Sequence, residues 1–214
     1  MKKLLTCLAF GLTLLLCTSP VLAVLADLHP PDWRGDAGTT LQGWDFNPFP
    51  TGGINVPVLG VLPDVVDLNP NGPAMLDYYP GFNQEWVPFW EGMDGVLPLS
   101  GTIEIGIQNF PIANPYKEII VQVIWAPQAP GNGMTVTEPI NGGTVTLLEE
   151  QPFDPYWTYS LYQIEIWPNP DFEVVRIDGG IFVDSVFVDT ICTVPEPATM
   201  VLLGIGGLLM RKRK

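Results

Sequence analysis

Outside its two ends the chain has almost no positive charge. It holds nine Lys and Arg in 214 residues, of which Lys2 and Lys3 open it and Arg211, Lys212, Arg213 and Lys214 close it. Only Arg34, Lys117 and Arg176 stand between, against twenty-two of the twenty-three carboxylates, so residues 27–193 carry a net charge of about −19. A surface this acidic repels phosphate backbones and excludes nucleic acid as a partner. It suits solubility and cation binding instead. Cysteine is nearly as scarce: Cys7 and Cys17 fall in an N-terminal apolar run, which leaves Cys192 without an intramolecular partner. The core must therefore hold without disulfides. The single histidine, His29, is too isolated for a catalytic triad or a histidine zinc site. No G-x-S-x-G, H-E-x-x-H or glycine-rich phosphate loop occurs, and no catalytic cysteine stands with a histidine, so the expectation is a protein without catalysis. A glycoside hydrolase would need two carboxylates facing one cleft about 5–10 Å apart. Glu149 and Glu150 qualify only by residue type, because neighbours on a strand point to opposite faces, and Glu165 stands alone. Helical periodicity is almost absent before the C-terminal tail.

What the ends do have is the grammar of export. Met1-Lys2-Lys3 is a positive start, Leu4 to Cys17 is leucine-rich, and Val21-Leu22-Ala23 and Val24-Leu25-Ala26 each place small residues before a cut. Residues 1–26 read as a Sec signal peptide, cleaved after Ala23 or Ala26. Leu16 is too bulky to precede a lipidated Cys17. In the tail, residues 194–214, Pro195-Glu196-Pro197 is extended and exposed, since proline fixes φ, lacks a donor and pushes its predecessor out of helical geometry. Ala198 to Met210 follows without a charge. As a short hydrophobic helix it would span about 20 Å, against a hydrocarbon core of about 30 Å. The basic end, Arg211 to Lys214, would stay on the cytoplasmic side. The whole reads as a temporary anchor.

Val194-Pro195-Glu196-Pro197, the glycine-bearing apolar run and the basic cluster together resemble a PEP-CTERM sorting signal, over about a tenth of the chain. The resemblance implies export by a bacterium with a Gram-negative-type envelope and transient inner-membrane insertion. It implies processing by an exosortase-type membrane protease acting on Pro195, Glu196 and Pro197, with Arg211, Lys212, Arg213 and Lys214 as the basic stop. It also implies an association with exopolysaccharide, biofilm or floc formation at the cell surface or in the extracellular matrix. On activity it is silent.

Residues 27–193 are enough for one domain with a real core. Pro and Gly are abundant, at 23 and 22, which argues for many turns and an all-β fold. A first strand is predicted over 39–46, and 47–98 is predicted as loops and short strands folded onto the sheet, because its clustered aromatics need cover. Residues 101–110 alternate, with Ile103, Ile105 and Ile107 on one face. Residues 117–126 do the same, with a turn at Asn114-Pro115 between the two. Strands are predicted over 135–137, 143–149, 159–167, 172–177 and 181–191, with Asn-Gly turns among them. Seven to nine strands at this spacing predict an antiparallel β-sandwich. A jelly roll is favoured and an immunoglobulin-like order is the alternative. The strand Asp184 to Thr190 resembles the closing strand of galactose-binding-like and carbohydrate-binding jelly rolls.

Four groups of residues are candidates for chemistry. Asp67, Asn69 and Asn71 fit the front half of an EF-hand-like calcium loop, D-x-[DN]-x-[DN]-G, although Tyr78 stands where the bidentate Glu belongs and Pro70 stiffens the loop. Asp178, Asp184 and Asp189, with Glu173 nearby, form a second possible calcium set, against solvated strand ends. Tyr159, Gln163, Glu165 and Trp167 are expected on the outward face of one strand, with Trp157 beside them. An aromatic face with amide and carboxylate acceptors is what a sugar ring uses, unless the 47–98 segment covers it. Arg34-Gly35-Asp36 reads as a turn, with Arg34 paired to a neighbouring carboxylate. The expected function is that of an exported, non-catalytic surface or matrix protein, structural or adhesive in exopolysaccharide. A carbohydrate-binding module is the alternative, and a glycoside hydrolase or lyase the third reading.

Overall fold

The computed structural model describes residues 26–47, 49, 56–67, 72–82, 84–109 and 115–193. The leader up to residue 25, the sorting tail from 194 onward, and Asn69 and Asn71 of the first calcium reading lie outside the described residues.

Thirteen strands occur among the described residues: β1 (Thr39–Trp44), β2 (Val58–Val61), β3 (Val65–Asp67), β4 (Met75–Tyr79), β5 (Val87–Trp90), β6 (Met93–Leu99), β7 (Thr102–Gln108), β8 (Tyr116–Pro127), β9 (Met134–Thr137), β10 (Thr144–Pro152), β11 (Thr158–Ile166), β12 (Phe172–Gly179) and β13 (Ile181–Thr193). They form two antiparallel sheets. The larger has eight strands, with β10-β11-β8-β13-β1-β3 side by side, β6 bonded to β13 and β5 to β6. The smaller runs β2-β4-β7-β12-β9.

Alternation explains how the sheets pack. In β7, Ile103, Ile105 and Ile107 are fully buried while Thr102, Glu104 and Gln108 face outward. Ile119, Val121, Val123 and Trp125 of β8 and Val175 and Ile177 of β12 meet them in one core with Trp44, Leu76, Tyr78, Tyr162 and Ile164. This gives an all-β, sandwich-like packing in which each buried aliphatic side chain contributes roughly 1.5–3 kcal/mol. β13 breaks strict alternation. A bulge between Val183 and Ser185 lets Ile181 and Val183 face the core on one side of it and Val186 and Val188 on the other.

The large sheet is buried on its second face as well. Ala26, Met93, Val96, Ile124, Ala126, Trp157, Tyr159 and Phe187 form a second core, with Trp90 stacked on Phe182 at 4.2 Å. The residues after Ala26 and the β5–β6 hairpin cover it. β8 is therefore buried on both faces over most of its length.

Two expectations change. Residues 47–98 contribute five of the thirteen strands, so the count exceeds the predicted seven to nine. β7 and β8 are not a hairpin: β7 pairs with β4 and β12, and β8 with β11 and β13. The chain between them crosses from one sheet to the other.

Candidate functional site

Tyr159 is not on an outward sugar-binding face. It is fully buried in the second core, because the N-terminal segment lies across β8 and β11. The Tyr159 hydroxyl donates to Gln122 Oε1 at 2.8 Å, and the same oxygen accepts from the amides of Leu28 at 3.1 Å and His29 at 2.8 Å. His29 Nδ1 lies 3.0 Å from Glu149, and its ring meets Tyr159 edge-on at 5.3 Å. Arg34 completes the strap. Its guanidinium bonds both Asp27 oxygens at 2.8 Å and both Asp189 oxygens at 2.6 Å, above the Phe187 ring. Arg34 is thus a structural pair, and Gly35 turns at φ 92°.

The other three residues of that predicted face have neighbours the sequence did not suggest. Gln163 is half-buried, Glu165 is exposed, and Trp167 is 71 % exposed. The Tyr116 hydroxyl donates to Glu165 at 2.7 Å and lies 3.4 Å from Glu118, while Trp33 Nε1 donates to the other Glu118 oxygen at 3.4 Å. The Tyr116 and Trp167 rings are 6.3 Å apart. Glu118 and Glu165 are direct partners across β8 and β11. Partial burial and the hydrogen bond to Glu165 push the Tyr116 phenol up, so it stays a donor. Three aromatics thus frame two carboxylates at the end of the large sheet, where Tyr116 pairs with Thr193. Trp33 and Tyr116 come from strand neighbours and a distant strap, so one-strand reasoning could not place them here.

A concavity of about 310 Å³ lies on the outer face of the small sheet, lined by Met75, Asp77, Glu104, Gly106, Phe172 and Val174 among others. Phe172 lies over Gly106, where a Cβ would come within 2.9 Å of its ring. Asp77 and Glu104 are cross-strand partners, but both are engaged: Arg176 Nε donates to Glu104 at 3.0 Å and the Gly60 amide to Asp77 at 2.7 Å.

The second calcium set is dispersed. Asp178 accepts from Thr102 Oγ1 on the small sheet, Asp189 lies under the Arg34 strap, and buried Asp184 accepts from Ser185 at the β13 bulge. Asp67 ends β3, and its two partner positions, Asn69 and Asn71, are outside the described residues. Among the described residues no three His, Cys, Asp or Glu side chains converge as a metal site.

The sequence reading missed a buried polar cluster of Lys117, Asn109, Glu173, Asn169 and Cys192. Its signal was present: Lys117 falls on the core-facing parity of its own strand, in line with Ile119 and Val121.

The described strands end at Thr193, where a family match begins. A family model described as the PEP-CTERM protein-sorting motif matches residues 193–214. The chain carries a PEP-CTERM sorting signal. It is therefore an exported bacterial protein, sorted toward the cell surface and processed by an exosortase. No curated protein and no solved structure matches the chain. The PEP-CTERM signal follows directly on β13, which lies between β8 and β1 in the large sheet.

Proposed function

We propose that this is a non-catalytic structural or adhesive protein of the cell surface and extracellular matrix of a Gram-negative-type bacterium, which engages exopolysaccharide through the aromatic patch beside its sorting signal. The observation that carries the reading is the exposed Trp167 next to Tyr116, with Glu118, Glu165 and Gln163 as acceptors. A flat apolar ring face takes the C–H side of a sugar and the carboxylates take its hydroxyls. The strand order supports a jelly-roll reading: β1-β13-β8-β11 in one sheet and β7-β12-β9 in the other, with successive strands passing between sheets.

The test is a glycan array together with pull-down on polysaccharide from the native host. Trp167→Ala is expected to lower retention at least fivefold, since losing one good stacking platform costs about 1–3 kcal/mol, by analogy with aromatic platforms that stack other flat rings. Trp167 is exposed, so the variant should keep its unfolding midpoint. Blank arrays, with the variant behaving as wild type, would leave a purely structural role.

A further inference from the structure

At one end of the fold, core-facing rows of apolar side chains finish on polar ones. Asn109 follows Ile103, Ile105 and Ile107; Lys117 precedes Ile119 and Val121; Glu173 precedes Val175 and Ile177; and Cys192 follows Val186 and Val188. Lys117 is 1 % exposed and Glu173 0 %. Lys117 Nζ donates to Asn109 Oδ1 at 2.7 Å and lies 3.4 Å from Glu173 Oε1. Asn109 Nδ2 donates to that same Glu173 oxygen, and to Asn169 Oδ1 at 2.7 Å and the Pro170 carbonyl at 2.6 Å. Cys192 Sγ sits 3.4 Å from both Lys117 Nζ and Asn109 Oδ1. Glu173 Oε2 and Asn169 Nδ2 are buried with no hydrogen-bond partner among the described residues.

We propose that Lys117 Nζ and Asn109 Cγ join in an intramolecular isopeptide bond, formed by the folded chain itself, with Glu173 as the proton carrier. In the first step a proton passes from Lys117 Nζ to Glu173 Oε1, 3.4 Å away, which frees the amine lone pair beside a carboxylic acid. Burial holds the Glu173 carboxyl up at about 7, against the opposing pull of Lys117 and Asn109. The amine lone pair attacks Asn109 Cγ, and the C=O pair moves onto Oδ1, where the Cys192 thiol is a donor. Glu173 Oε1 touches both the entering and the leaving nitrogen. It protonates Nδ2 and takes the surplus proton from Nζ. The Cγ–Nδ2 bond breaks, the carbonyl reforms and ammonia leaves. The Lys117 ammonium and a primary amide become a secondary amide and ammonium, the departing ammonia carrying off the proton that Glu173 took at the start, so Glu173 ends as the carboxylate it began as, with no oxidant and no cofactor. This is one self-modification per chain, not turnover. The bond ties β8 of the large sheet to the end of β7 in the small one. It supplies the covalent closure that an exported chain with one mature cysteine cannot draw from disulfides.

The test is the intact mass of the purified full chain, read against the sequence between its observed termini. The expected mass is lower by one ammonia. Between Arg34 and Arg176 the only other tryptic site is Lys117. Unfolded protein should therefore yield residues 35–176 as one fragment, uncut at Lys117. Glu173→Gln and Lys117→Arg should each keep the ammonia, and Glu173→Gln should restore cleavage after Lys117. The decisive reading needs no variant: a folded wild-type chain at full sequence mass, cut at Lys117, overturns the proposal. A mass gain at Asn109 marking hydrolysis to aspartate does the same. A Glu173→Gln chain that still loses ammonia overturns the role of that carboxyl.

Discussion

Asp184 and Asp189 lie on one strand, are both buried, and are treated differently by the fold. Asp189 has the Arg34 guanidinium on both its oxygens. Asp184, at the β13 bulge, has the Ser185 hydroxyl at 2.9 Å and no cation among the described residues. Burial raises the Asp184 pKa to about 7, with Asp45 and Asp94 adding repulsion and Ser185 opposing. The unfolded value is about 3.9, so between about pH 4 and pH 7 the native state holds a proton that the unfolded state has lost. Stability from this group therefore falls as pH rises through that window. Asp184→Asn should stabilise the protein by on the order of 1 kcal/mol or more near pH 8 and by nothing near pH 4. Thermal unfolding at both values checks this, and an equal shift at both would refute it. At this scale the sequence was half legible. Arg34 could be read as a partner for a carboxylate because cations are so few. Which carboxylate, and that Tyr159 would be buried, depended on what crosses over β11.

The strap from Ala26 to Arg34 is the element that decides the N-terminus. Ala26 is fully buried in the second core, its carbonyl accepts from Leu28 at 2.8 Å, and Asp27 holds Arg34. Cleavage after Ala26 would remove that packing and place a new ammonium on Asp27 beside the guanidinium. Cleavage after Ala23 keeps both. The mature chain is therefore expected to begin at Val24, which N-terminal sequencing of the exported protein checks; a start at Asp27 would count against the strap as an element of the mature fold. Periodicity located β7, β8, β11, β12 and β13 to within a few residues, because each carries its own alternation. It missed that β7 and β8 lie in different sheets, since a turn signal such as Asn114-Pro115 says the chain bends, not where it goes next. It also missed the division of 47–98 into β2 to β6, whose short, proline-broken strands hold their places by pairing with distant partners such as β1, β7 and β13.

For the whole molecule, the sorting signal sets the route and the fold sets what arrives. Fractionation of the native host, with intact mass of the chain in each fraction, should find a species outside the inner membrane ending near Pro195. Any added mass on that terminus identifies what the protein is attached to. A full-length C-terminus held in the inner membrane would make the tail an ordinary anchor and remove the main support for a matrix role. The Lys117–Asn109 cluster and the Trp167 patch both lie at the end where β8 pairs with the last residues of β13. Covalent closure and ligand contact would thus sit beside the processed terminus.

The sequence by itself determined the destination and the class of fold. A sorting motif is read as a linear peptide, and strand alternation is a local consequence of the two-residue side-chain period. Tertiary structure alone decided which faces are covered, which carboxylates find cations, and which polar side chains meet inside the core. Those outcomes depend on contacts between residues tens of positions apart, such as Gln122 with His29, Asp189 with Arg34 and Glu173 with Asn109, and no local pattern encodes them.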